Sequence, residues 1–206
     1  MQQSTKEEVD VHLRWALRSD SEDFVSLFLL SEPFYQLIFG DRIASAVKKL
    51  FESENNLFSY KHVLVADLRS EVAGMLLGYD WETNEREGSR TDLMLLNLVG
   101  IEDADKLKVY NEFNNFLERF EKDEYYVSNL AVYEKFRGLG IGNALMEMAE
   151  EEARKLGARK MVLDVGSENL SALFFYSKLG FKIREEYKIS TGIGSIFKFE
   201  RMEKEI

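Results

Sequence analysis

Arg137-Gly138-Leu139-Gly140-Ile141-Gly142 places a glycine at every second position between a strand-like run, Tyr126–Val132, and a strongly patterned helical run, Asn143–Leu156. Glycines leave the backbone free to turn its N–H groups outward. The helix that follows adds the positive end of its dipole. Together these features make a pocket for phosphate, and for a pyrophosphate in particular.

Outward from this loop, Leu145, Met148, Ala149, Ala153 and Leu156 recur at helical spacing, with glutamates opposite. Gly157 is placed to end that helix in a left-handed cap. Lys160–Val165 reads as a buried strand, Leu170–Leu179 as a short helix closed by Gly180, and Phe181–Tyr187 and Ser195–Met202 as strands.

Towards the amino end, Tyr125–Val132 is preceded by a helical spacing over Ala104–Phe120. His62–Ala66 and Glu71–Tyr79 pair as strands around a turn at Arg69-Ser70. Val11–Leu17 alternates as a first strand. Ser19 or Ser21 is the expected cap of a helix through Phe28–Leu30, and a second helical stretch covers about Pro33–Phe51. Residues 80–104 resist assignment: they are polar from Asp80 to Arg90 and apolar over Leu93–Val99. Residues 1–10 are polar and expected to be frayed. The class is α/β, in one domain.

The chain of 206 residues is 45% hydrophobic and 31% charged, which suits a soluble globular protein. It has no cysteine, so neither a disulfide framework nor a thiolate metal site is available, and a cytoplasmic setting is expected. The first residues lack a signal peptide pattern, and no apolar run approaches the ~20 residues that span a bilayer. A net charge of −10 disfavours nucleic acid as a partner and favours cationic ones.

Two nucleotide motifs fail at the loop. A P-loop requires Lys followed by Ser or Thr, where this chain has Asn143-Ala144. A dinucleotide fingerprint requires a third small residue, where Asn143 or Leu145 stands. Asp164 mimics the ribose-binding acid, but too little chain follows for a doubly wound sheet. A tight strand-to-helix connection without a ligand is the remaining non-functional reading.

The run Val132-Tyr133-Glu134-Lys135-Phe136-Arg137-Gly138-Leu139-Gly140-Ile141-Gly142 resembles the coenzyme A signature of the GNAT superfamily, the acetyl-CoA-dependent N-acetyltransferases. In that signature Arg or Gln is followed after two residues by Gly, and after one more by Gly or Ala. Arg137, Gly140 and Gly142 fill it. A second motif of the family follows at Asn169-Leu170-Ser171-Ala172-Leu173-Phe174-Phe175-Tyr176-Ser177-Lys178-Leu179-Gly180-Phe181. The close resemblance covers about residues 125–187.

The resemblance implies a mixed, mostly antiparallel central sheet of about six or seven strands flanked by helices, with a splayed central strand pair. Residues 80–122 would be a family-variable insertion. Coenzyme A pyrophosphate would rest on the backbone of Arg137, Gly138, Gly140, Gly142 and Asn143. The backbone of Leu130, Ala131 and Val132 would pair with the pantetheine arm and polarise the acetyl carbonyl. Asn169 would cap its helix and touch the coenzyme. Tyr176 would be the general acid for the departing thiolate, the phenol pKa of about 10 lying near that of an alkyl thiol.

Asp164 stands where related N-terminal acetyltransferases carry a glutamate proposed as base; a structural role is the alternative. His12 and His62 read as structural, Glu147–Glu152 as a solvated face, and no metal is implied. The activity implied is acetyl transfer from acetyl-CoA to a primary amine of a small molecule or peptide. The rival is an acyl-CoA-binding sensor without turnover. The amino-terminal helices and residues 80–104 would form the acceptor cleft, lined by Phe34, Tyr35, Phe39, Tyr79 and Trp81 unless these are core. The acceptor itself is not legible. Homodimers are common in the family.

Overall fold

Alternation on either side of Arg69-Ser70 builds the first hairpin, with both turn residues at positive φ (52° and 66°). In the computed structural model this hairpin belongs to a seven-stranded sheet ordered β1-β2-β3-β4-β5-β7-β6. The strands are β1 Val11–Trp15, β2 Val63–Leu68, β3 Glu71–Asp80, β4 Glu124–Val132, β5 Lys160–Gly166, β6 Lys182–Ser190 and β7 Ile196–Glu205. Among the described residues only β4 and β5 run parallel as neighbours. The structure describes residues 11–100, 103–117, 119–190 and 196–206. The expectation for residues 1–10, and the start of the last strand at Ser195, lie outside these.

The helices are α1 Ser21–Ser31, α2 Pro33–Phe39, α3 Arg42–Phe51, α4 Trp81–Val99, α5 Ala104–Leu117, α6 Ile141–Lys155 and α7 Leu170–Lys178. They cover the sheet on two faces. Phe24, Phe28, Phe34 and Phe113 belong to the core with α1, α2 and α5. Leu145, Ala149, Met161 and Phe181 belong to the core with α6.

Several local expectations change. Asp20, not Ser19 or Ser21, precedes α1, and its carboxylate accepts the Leu17 amide at 2.7 Å. The stretch Pro33–Phe51 is two helices, because Gly40 takes a φ of 61° between them. Residues 81–99, unassigned from sequence, form α4. Asp80 caps it by accepting the Thr83 amide at 3.0 Å, and Gly100 ends it at a φ of 59°. Its buried face carries Asn84, Glu87 and Thr91 beside Leu95 and Val99. Polar residues thus occupy positions where an apolar stripe would announce a helix. The Thr91 hydroxyl is satisfied there, accepting the Leu57 amide at 2.8 Å. Helix α6 begins at Ile141 and buries Met146; Met148 is half-buried and Leu156 is exposed.

The sheet opens where the site lies. Pairing of β4 with β5 runs from Glu124–Lys160 to Val127–Leu163 and stops, although the strands continue to Val132 and Gly166. Just there Ser128 is the extra residue of a bulge, since Leu77 faces Asn129 and Gly78 faces Val127.

Candidate active site

The splay opens a cleft of about 1100 Å³. Leu130, Ala131 and Val132 of β4 line one side, with Arg137, Gly138, Gly140, Gly142 and Asn143 at its end. Asp164 of β5, Asn169 and Tyr176 complete it. All the residues expected to hold the coenzyme or take part in the reaction therefore meet in one place.

Gly138 and Gly140 both take positive φ, 79° and 83°, and a Cβ at either would meet nothing within 4 Å. Their requirement is conformational, not spatial. Gly142 is the opposite case: a Cβ there would come 3.2 Å from the Phe175 ring, so glycine lets α6 start close against α7. The first intrahelical bond of α6 runs from the Ala144 amide to the Gly140 carbonyl at 3.1 Å. The preceding amides are the ones a helix start leaves without intrahelical acceptors. No acidic side chain occupies that first turn, so nothing on the helix competes with an incoming anion. An elongated ligand with a diphosphate fits this cradle. The exposed Arg137 folds back, its Nε donating to the Val132 carbonyl at 3.2 Å.

Asn169 does cap α7, its Oδ1 accepting the Ala172 amide at 3.1 Å and the Ser171 hydroxyl at 2.9 Å. Tyr176 is buried on the cleft side of α7, with Phe175 and Phe181 edge-on at 5.1 and 5.7 Å. No protein group among the described residues hydrogen-bonds its hydroxyl. Burial alone pushes that phenol well above its ordinary pKa, so the sequence-level match to a thiol does not hold for the resting site. Tyr176 stays protonated.

Asp164 is bound on both oxygens. Arg201 of β7 donates from Nε at 3.0 Å and from Nη2 at 2.8 Å, and the Tyr126 hydroxyl donates at 3.0 Å. Burial pushes the carboxyl up, and Arg201 and Tyr126 pull it back. Arg201, itself fully buried, also donates to the carbonyls of Phe116 and Arg119 at the end of α5. Neither Arg201 nor Tyr126 stood out in the sequence, where each is one residue of an alternating strand. The end of α5 is thus tied to Asp164 through Arg201.

Of the aromatics expected to line the acceptor side, only Phe34 does; Tyr35, Phe39 and Tyr79 are core, and Trp81 lies under Lys122. No described residue of 80–104 reaches this cleft; Met94, Asn97 and Leu98 border a separate groove beside Lys49. His62 Nε2 lies 2.8 Å from Glu87 Oε2, away from the cleft. Two carboxylates were missed: Glu168, just before α7, lines the cleft with Asp164, and so does Glu32, in the joint between α1 and α2. The only sequence signal of Glu32 was the adjacent Pro33, which opens α2.

The model of the Acetyltransferase (GNAT) family matches residues 25–181, and the chain belongs to that family. An uncharacterized N-acetyltransferase of Methanocaldococcus jannaschii is 43% identical over 75 residues, 36% of this chain and 33% of that protein. The chain spans about a third of the length of the curated relatives it matches, 33% and 37% for two of them. Among solved structures, an N-acetyltransferase of Staphylococcus aureus Mu50 aligns with a TM-score of 0.68 at 20% identity, covering 94% of this chain and 100% of that one. The Salmonella typhimurium protein yncA, solved with its cofactor acetyl-CoA, aligns at 0.57 with 14% identity, covering 95% and 94%. These two likenesses concern the fold. Among the described residues no helix is long and apolar enough to cross a membrane.

Proposed function

We propose that this chain moves an acetyl group from acetyl-CoA directly to a primary amine, of a small molecule or a peptide N-terminus, within a ternary complex. The observation that carries the reading is one cleft holding both the amides at the start of α6 and the Tyr176 hydroxyl, none of which has a hydrogen-bond partner among the described residues. The amides of Gly138 to Asn143 hold the diphosphate, and the β4 backbone opened by the splay aligns the thioester arm. Tyr176 gives its proton to the sulfur as the carbon–sulfur bond breaks. Asp164, with both oxygens already held by Arg201 and Tyr126, orders the acceptor side of the cleft instead of taking the amine proton. The acetyl-CoA of the Salmonella neighbour supports the same donor here.

Thiol release from acetyl-CoA across polyamines, aminoglycosides, amino acids, aryl- and alkylamines and short peptides tests the activity. Release with at least one acceptor is expected. Binding of CoA with no release across the whole panel would favour the sensor reading.

A further inference from the structure

A neutral amine that attacks a thioester must lose a proton, and the transferase reading names no group to take it. Three kinds of carboxylate border the cleft. Asp164 is tied on both oxygens by Arg201 and Tyr126. Glu168 is exposed and adjoins Asn169, at the coenzyme end. Glu32 differs from both. It is half-buried in the joint between α1 and α2, with φ −133° and ψ 69°, and has no ion-pair partner among the described residues.

Glu32 also borders a second, small chamber of about 20 Å³, shared with Tyr126, Ser128, Asn129 and Asp164. That space is enough for a single water-sized group. Around Glu32 on the cleft side stand Leu30, Pro33, Phe34, Phe197 and Phe199, an apolar and largely aromatic frame. Phe34 meets Phe197 edge-on at 5.1 Å.

Resting on the transferase reading, we infer that Glu32 is the catalytic base, serving primary amines carried on an apolar or aromatic group. The amine lone pair attacks the thioester carbonyl carbon and forms the carbon–nitrogen bond, while an N–H proton passes to the Glu32 carboxylate. The carbon–sulfur bond then breaks and the sulfur takes the Tyr176 proton. Solvent carries the Glu32 proton off and restores Tyr176, leaving an amide and a free thiol.

The electrostatics suit this role. Burial, and then the charge of Asp164, push the Glu32 carboxyl up to about 7, partly offset by the Phe34 amide. The titratable and charged groups that face it are Asp164 from β5, Tyr126 from β4, Tyr187 from β6, Tyr35 from α2, and Arg201 and Lys198 from β7. Arg201 is committed to Asp164 and Lys198 is exposed, so no cation pairs with Glu32 directly.

The test follows thiol release from acetyl-CoA with phenethylamine between about pH 5 and 9, for the parent chain, Glu32→Gln and Glu32→Asp. Below about pH 7 both the amine and Glu32 must shed a proton, so log kcat/KM should climb with a slope of about two, falling to about one above. Glu32→Gln should lose about 10²-fold in kcat and show a slope of about one throughout. Glu32→Asp should keep the break at a lower rate, and both variants should bind CoA like the parent. A break that persists in Glu32→Gln overturns the assignment. So does a protein that binds CoA and acetylates other amines of the panel but not phenethylamine. Absence of CoA binding, or of transfer to any amine, instead removes the transferase reading itself.

Discussion

Replacing Tyr176 with phenylalanine is expected to lower kcat about 10²- to 10⁴-fold while changing CoA affinity by less than about threefold. The ring is packed between Phe175 and Phe181, and phenylalanine keeps that packing. The hydroxyl makes no hydrogen bond to any described residue, so its removal strands no partner among them. What is lost is a proton aimed at the leaving sulfur. Because burial raises the phenol above its ordinary value, the hydroxyl stays protonated at neutral pH, and no alkaline loss of activity should arise from it below the usual tyrosine range. Steady-state kinetics beside calorimetry of CoA decide the matter. Equal losses in turnover and affinity would contradict the acid role.

The largest stability effect is expected at Arg201. Arg201→Met keeps much of the volume but leaves Asp164 buried without its cation, and frees the carbonyls of Phe116 and Arg119. Breaking one partner of a buried pair costs about 3–5 kcal/mol. For a chain of this size that corresponds to a fall in Tm of about 10 °C. Adding Asp164→Asn to the same chain removes the uncompensated charge and should restore much of the loss. Thermal unfolding of the parent, the two single variants and the double variant makes the cycle. Additive losses would show that Arg201 and Asp164 do not act as a unit.

These two residues mark the limits of what the chain discloses unfolded. The cradle was legible because it depends on backbone: glycines at 138 and 140 answer a positive φ, and glycine at 142 answers the approach of Phe175, all written in residue type. Tyr176 and Asn169 were legible through a motif with fixed helical spacing. The strands were legible as short alternating or buried apolar runs, and the sheet they form, with its splay, came from the family resemblance. Helix α4 was hidden because its buried face carries Asn84, Glu87 and Thr91, each a legitimate signal for loop or surface. Arg201 and Glu32 were hidden for a different reason. Their meaning lies in partners far along the chain: β7 brings Arg201 to Asp164 and to the end of α5, and the joint before Pro33 turns Glu32 into the cleft. Nothing local distinguishes Arg201 from an ordinary surface charge, and Glu32 has only the neighbouring Pro33 to mark it.

The account rests on the main-chain amides at the start of α6 holding a diphosphate. Calorimetry of the folded chain with CoA, and separately with pantetheine, which lacks that group, tests this most directly. Saturable binding of CoA is expected, at least about tenfold tighter than pantetheine. No heat with CoA, or equal affinity for the two, would contradict it.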